Sequence, residues 1–599
     1  MDLLPKVFRT EGNIAKFDPS KIFDSILKET GMNETDANHI TELVVRRIIS
    51  SGIKFLSGPH IREIVCSILS EQHFENERKL YTRIGMPLMD YEEILEKGPS
   101  DKPYERINPE KIHHWAADQI AEEYAHLRIL DNEESKAHLA GDIHINGLNY
   151  FDLRPFSQIW DPRLILKNGL PPIGYSSGYI KQEPAKDLIS ALYHLSKWRG
   201  MTQSEFYGNQ GFKYITSFLA PYVQDFSEEK LIREIRNFIY EINQLPIIIG
   251  HGISQTSISS SQSIFEVFSE VPSVGPSGKI ENVYGNYQDE GIKLFKALIH
   301  VYKEGYDNNP ITTPELQLIL DNKLIREIEN IYSNFWNEIG IISSFYFVNL
   351  CLDIYKDKII KQISNKNYAN VGILQNVSLN LPRYAYLSKN EDSFFELLNS
   401  KIKLCSKILL KKYDIIRRRI RSHHLPFCGG VIDGKPLLKL EDQGLSISLV
   451  GLNESMKYLT NYELHENSES IKLSMKTLNQ INKICSELSE KCNKKFILSE
   501  NFSKKAIDRF TKLDLKHFPK DIRLLSNHQT YTNSVHYRDD VKIDLLTRIK
   551  IQGDFHRFIH EGAIEFISLK DLKFSNLTIK DFIRDICKGS SISRLKFYS

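Results

Sequence analysis

Two cations bracket a turn that leads into a helix close to the N-terminus. Arg9 ends the short run Val7-Phe8-Arg9, and Lys21 falls in the first turn of a helix beginning at Asp18-Pro19. The free N–H groups of a first helical turn and the helix dipole attract anions, and a Lys or Arg beside them neutralises phosphate charge. Isolated Lys and Arg are more often solvated surface charges, so the residues alone leave both readings open. Of the seven cysteines, Cys485 and Cys492 are the closest pair, and they lack the C-x2-C spacing that a tetrahedral zinc site favours. Cys428, beside Gly429-Gly430, fits either a reactive thiol or, more commonly, a packed one. Residues 411–424, KKYDIIRRRIRSHH, form a basic run at helical spacing that suits phosphate contacts or, more commonly, one solvated helix face.

The elements that must position these groups follow from patterning. Residues 7–9 and 14–17 are strand candidates around the turn Glu11-Gly12-Asn13. Asp18-Pro19 supplies an N-cap and a first-turn proline, and Ile22, Phe23, Ile26 and Leu27 then give one buried face. Asn33 caps a second helix carrying Ile40, Val44 and Ile48, and Ser57-Gly58-Pro59 opens a third carrying Ile61, Ile64, Val65 and Ile68. Residues 96–109 mix charges, Gly and Pro without periodicity and read as a linker between a domain at 1–95 and another at 110–599. In the second domain amphipathic helices alternate with strand-like runs at 245–249, 374–381 and 445–450, an α/β pattern, while the serine-rich 254–263 reads as a loop.

In 599 residues, 78 Lys and Arg against 76 Asp and Glu leave a net charge of +2, so no global field recruits nucleic acid or an acidic membrane, and neither is an expected partner. No cysteine framework, basic-apolar leader or uncharged stretch near ~20 residues is visible, which points to a soluble cytoplasmic protein.

The segment VFRTEGNIAKFDPSKI, the helix pair after it and LSGPHIREIV resemble the ATP-cone, the nucleotide-binding regulatory module of ribonucleotide reductases. The family pattern V-x-K-R-D-G-x-x-x-x-F-D-x-x-K-I is met at Val7, Gly12, Phe17, Asp18, Lys21 and Ile22, with departures at Arg9, Thr10 and Glu11; Ser57 matches a family hydroxyl before the third helix. The resemblance covers residues 5–93 and implies ATP or dATP at Val7, Arg9, Thr10, Gly12, Lys21 and Ser57. Thr10 removes one cation from the phosphate clamp.

From about residue 110 onward, collinear segments are similar to class III (anaerobic) ribonucleoside-triphosphate reductase. They include AHLAGDIHINGLNYFDLRPFSQIWDPRLILKNGL, EPAKDLISALYHLSKWRGMTQSEFYGNQGF, NVGILQNVSLNLPRYAY, SISLVGLNES and YTNSVHYRDD. The fold this implies is α/β: an N-terminal ATP-cone (a small β-hairpin plus helices), then a ten-stranded α/β barrel with a cysteine on a central finger loop. In that family a glycyl radical, held beside a four-cysteine zinc site, generates a thiyl radical that starts reduction of the ribose, and an activating enzyme installs the glycyl radical.

Against that pattern, no four-cysteine cluster is present, and Gly589 is followed by Ser590-Ser591 rather than by the radical motif, so neither zinc nor a glycyl radical is expected on this chain. Ser157 stands where the family has a cysteine used in reduction, and Asn146, Gly147 and Asn149 replace its His and Asp residues. Cys351 is the candidate thiyl site, although between Leu350 and Leu352 it also fits a buried small hydrophobe. Asn380, Asn453, Glu454, Asn533, Ser534 and His536 keep the family's polar groups at the barrel mouth, as substrate contacts or as amides and carboxylates that hold loops.

The expectation is a family member that binds ATP or dATP and does not reduce nucleotides alone. Its expected partners are nucleotides, a second copy of itself, a separate glycyl-radical chain or a true reductase. The alternatives are an inert nucleotide-sensing regulator, the larger part of a split reductase, and a scaffold without ligand.

Overall fold

Three short strands cannot persist alone in water, so each must pair. Strand β1 (Lys6–Phe8) runs antiparallel to β2 (Ile14–Lys16), and β3 (Phe55–Ser57) adds to the other edge of β1 in parallel. This is a computed structural model, and it describes every residue except 1–5, 9–13, 54, 98–108, 173–179, 250–254, 308, 321–334, 340, 341, 343, 350–367, 389, 433, 526–529, 539, 561, 575–577 and 599. Helices α1 (Ser20–Thr30), α2 (Glu34–Ser50), α3 (Gly58–Glu71) and α4 (Glu75–Tyr81) belong to the same small unit. Ile22, Ile26, Ile40, Val44, Ile48, Val65 and Ile68 form its buried core, each fully buried side chain contributing roughly 1.5–3 kcal/mol. The caps are local: Asn33 accepts from the Asp36 N–H at 2.9 Å, and Asp18 accepts from the Ser20 N–H at 3.1 Å.

The chain divides into compact units Met1–Glu133 and Glu134–Ser599. Helices Leu88–Lys97 and Pro109–Tyr124 fall in the first, so the division lies further along than the 96–109 composition break.

In the second unit β4 (Ile143–Ile145) leads into five mutually parallel strands: β5 (Ser157–Trp160), β6 (Gln210–Phe212), β7 (Thr256–Ser260), β8 (Glu315–Leu320) and β9 (Ser344–Asn349). A second set follows as β10 (Val371–Asn380), the small hairpin β11 (Val431–Ile432) with β12 (Lys435–Pro436), then β13 (Gly444–Val450), β14 (Lys495–Leu498), β15 (Ile564–Ser568) and β16 (Arg594–Tyr598). Strands β10, β13 and β14 are parallel neighbours, as are β15 and β16. The two sets meet antiparallel at β5–β10 and β9–β16. A parallel bridge between Ser499 and His560, with the His560 N–H donating to Leu498 at 2.7 Å, joins the end of β14 to the approach of β15. Ten strands thus close into a barrel of two five-stranded halves, and β4 pairs with the far end of β10. Crossover helices cover the strands on one side, and all seven residues of β13 are buried, as parallel sheets require.

Two expectations are corrected. Residues 245–249 end the helix Glu228–Ile249, because Leu245 continues the buried period of Leu231, Ile235, Phe238, Ile239 and Ile242. The serine-rich 254–263 contains β7, whose small side chains fit between β6 and β8; a Cβ on Gly211 of β6 would lie 2.3 Å from Ser257 Oγ. The hydroxyls find partners there, as when Ser259 Oγ accepts from the Tyr214 N–H at 2.9 Å.

Candidate functional site

The small unit contains a cavity of about 210 Å³ where the first turns of α1 and α3 meet. Val7, Phe17, Ile22 and Ile61 supply apolar walls, and Lys16, Lys21 and Arg62 supply cations. Val7 and Lys21 both line this cavity. Arg9, Thr10 and Gly12 lie outside the described residues. Ser57 is the α3 cap, its Oγ accepting from the His60 N–H at 3.5 Å, and its neighbour Gly58 lines the cavity instead. Arg62 was not singled out by the motif. It donates two hydrogen bonds to Glu29 at 2.7 and 2.8 Å and lies 4.2 Å from the centre of the Tyr81 ring. The Arg62 hydrogen bonds hold the Glu29 carboxyl below its ordinary range.

In the barrel, Ser157 begins β5 opposite Ile373 of β10, half-buried. Trp160 on the same strand packs 5.1 Å from Trp198 of the covering helix Leu188–Thr202. Alternation along the strand therefore turns Ser157 away from that helix layer, toward the barrel interior. Cys351 lies outside the described residues. The buried Cys405, Cys428 and Cys485 all lie outside the barrel strands, and burial pushes each thiol up, Cys485 to about 12.

Asn380 closes β10 and is fully engaged. Its Nδ2 donates to Gly141 and to Asp514, both at 2.9 Å, while its Oδ1 caps the helix Leu381–Leu387. Asp514 also receives Arg383 Nε at 2.6 Å and the Tyr531 hydroxyl at 3.1 Å. After β13, Asn453 accepts from the Leu464 N–H at 3.1 Å, and Glu454 accepts from the Thr532 N–H and hydroxyl at 3.2 and 2.8 Å. Burial raises the Glu454 carboxyl even though Thr532 donates to it.

The loop 531–536 lies along the end of β13 through the bridge Val450–Asn533 and the Ser534 N–H to Leu449 at 3.1 Å. Asn533 Oδ1 and Ser534 Oγ are buried without a hydrogen-bond partner. Ser534 holds the left-handed conformation, φ +49°. His536 Nε2 is 2.5 Å from Glu500 Oε1 and its Nδ1 is 3.8 Å from Glu565 Oε2. Burial by itself would lower this imidazole, but the two carboxylates outweigh it and raise His536 to about 10. Glu454, Asn533, Ser534 and His536 thus share one corner of the barrel mouth, and Asn380 joins it through Asp514 and Tyr531.

Sequence reasoning missed the polar layer beside them. Asn376 and Ser378 of β10 face Ser446 and Ser448 of β13 in register, with Asn376 Nδ2 donating to Ser446 Oγ at 2.6 Å and the Ser378 and Ser448 hydroxyls 2.8 Å apart. Asn146 Nδ2 donates to Asn376 and Ser378 at 2.8 and 2.9 Å. The every-second-residue spacing of polar groups in NVSLN and SIS was the available signal. Among the described residues, no three His, Cys, Asp or Glu side chains are grouped to hold a metal ion, and no helix is long and apolar enough to cross a membrane.

The sequence profile of one family, anaerobic ribonucleoside-triphosphate reductase, matches residues 104–597. The chain belongs to that family. Its curated relatives include the anaerobic ribonucleoside-triphosphate reductases of Haemophilus influenzae, 23% identical across 77% of this chain and 69% of the relative, and of Escherichia coli, 21% identical across 92% and 80%. The anaerobic ribonucleotide reductase of Thermotoga maritima in complex with dATP and CTP superposes with a TM-score of 0.68 at 18% identity, over 88% of this chain and 91% of that one. The same enzyme with glycerol in its active site gives 0.69 over 85% of each. These superpositions establish the shared reductase barrel fold.

Proposed function

We propose that this reductase-family chain binds ATP or dATP in the cavity between α1 and α3, holds a ribonucleoside triphosphate at the barrel mouth, and does not reduce it unaided. One observation carries the reading: the interior-facing residue at the start of β5 is Ser157, a hydroxyl. Ribose reduction by this family requires sulfur groups that accept and pass single electrons, and an alcohol is neither as acidic nor as oxidisable as a thiol. The α1–α3 cavity offers an apolar wall for a base and cations for phosphates. At the barrel mouth, Asn533 Oδ1 and Ser534 Oγ are buried polar atoms that a substrate hydroxyl or amino group would satisfy.

Purified chain, assayed anaerobically with an activating enzyme and S-adenosylmethionine, is expected to bind ATP or dATP in calorimetry and to form no deoxynucleotide. Turnover would overturn the claim of inactivity, and absence of all nucleotide binding would favour a scaffold.

A further inference from the structure

We propose that Arg62 is the cation that takes a nucleotide phosphate in the α1–α3 cavity, and that Glu29 is its resident competitor; this rests on the nucleotide reading above. Three cations line the cavity, and they differ in preparation. Lys16 and Lys21 are exposed on flexible stems, whereas the Arg62 side chain is only 26% exposed. Its guanidinium is held flat by two bonds to Glu29, a third to the Tyr81 carbonyl at 2.5 Å, and the Tyr81 ring beneath it. A guanidinium held in place loses little freedom when it meets a second planar or tetrahedral anion, so it binds phosphate better than a free lysine does.

Glu29 gives the pair its direction. In the free protein it neutralises Arg62, and an arriving phosphate must share or displace it. A carboxylate carries one negative charge and a triphosphate carries several, so the triphosphate competes for Arg62 better than shorter phosphates do. Glu29 therefore weakens binding and sharpens the preference for more phosphates. Arg62 also ties α3 to the last residue of α4 through the Tyr81 carbonyl.

The test is calorimetry on the full-length chain with ATP, AMP and adenosine. Arg62→Gln is expected to weaken ATP about tenfold or more while leaving adenosine unchanged. Glu29→Gln is expected to tighten AMP and narrow the gap between ATP and AMP. A clasp that is only structural weakens all three ligands in both variants, or none, and either pattern overturns the proposal while nucleotide binding by the wild type stands. A wild-type chain that binds neither ATP nor adenosine overturns the nucleotide reading and this inference with it.

Discussion

His536 closes the seam of the barrel electrostatically, and its replacement by Gln should remove a stabilisation that depends on pH. Among the described residues the backbone provides one bridge between the end of β14 and the approach of β15, and the imidazolium between Glu500 and Glu565 adds a side-chain tie across that gap. Arg548, 2.6 Å from Glu565, and the Ile564 N–H, 2.8 Å from Glu500, complete the cluster. A folded value of about 10 against 6.5 for the free group means that folding favours the protonated form. The contribution is therefore full below pH 6.5 and is lost as pH rises through 10. It amounts to at most ~5 kcal/mol at low pH, ~4 at pH 7, ~2 at pH 8.5 and under ~1 at pH 10.

Lys412, a buried amine lowered by burial to about 7, titrates over part of the same range with the opposite sign. The quantity to measure is thus the wild-type minus His536→Gln difference in unfolding free energy, from urea titrations at pH 6.5, 8.5 and 10, in which Lys412 cancels. A difference that stays constant across the three pH values would refute the reasoning.

Gly451 has φ +77°, and a Cβ there would lie 2.3 Å from Pro382 Cγ, so Gly451→Ala should cost about 2–4 kcal/mol, seen as a lower urea midpoint with an unchanged slope. Asp514→Asn removes the closer of two carboxylates beside buried Arg383 and should destabilise by about 3 kcal/mol in the same assay, Asp142 at 3.3 Å being the remaining carboxylate. Iodoacetamide under native conditions should label the half-buried Cys66 and Cys492 well before Cys405, Cys428 and Cys485, as read by peptide mass spectrometry. Equal labelling of all five would mean that the three buried thiols are accessible.

The small unit was legible because its signals are local. Asn33, Ser57 and the three-to-four-residue apolar spacing of Ile22, Ile26, Ile40 and Val44 each report on a single turn of helix. In the large unit, β10 and β13 were visible as apolar runs, whereas β7 was hidden because its serines resemble a loop until β6 and β8 crowd them. The mouth residues were named by motif, but not their work. Nothing near Asn380 announces Asp514, 134 residues away, and nothing near His536 announces Glu500 or Glu565.

Residue order by itself determined which turns cap and which faces are apolar, since each is settled within a few neighbours along the chain. Tertiary structure decided which carboxylate meets which cation, which polar atoms are left buried without a partner, and that Arg62 belongs to a cavity. Those outcomes depend on how distant segments desolvate one another, and burial rather than residue type sets the strength of a charge.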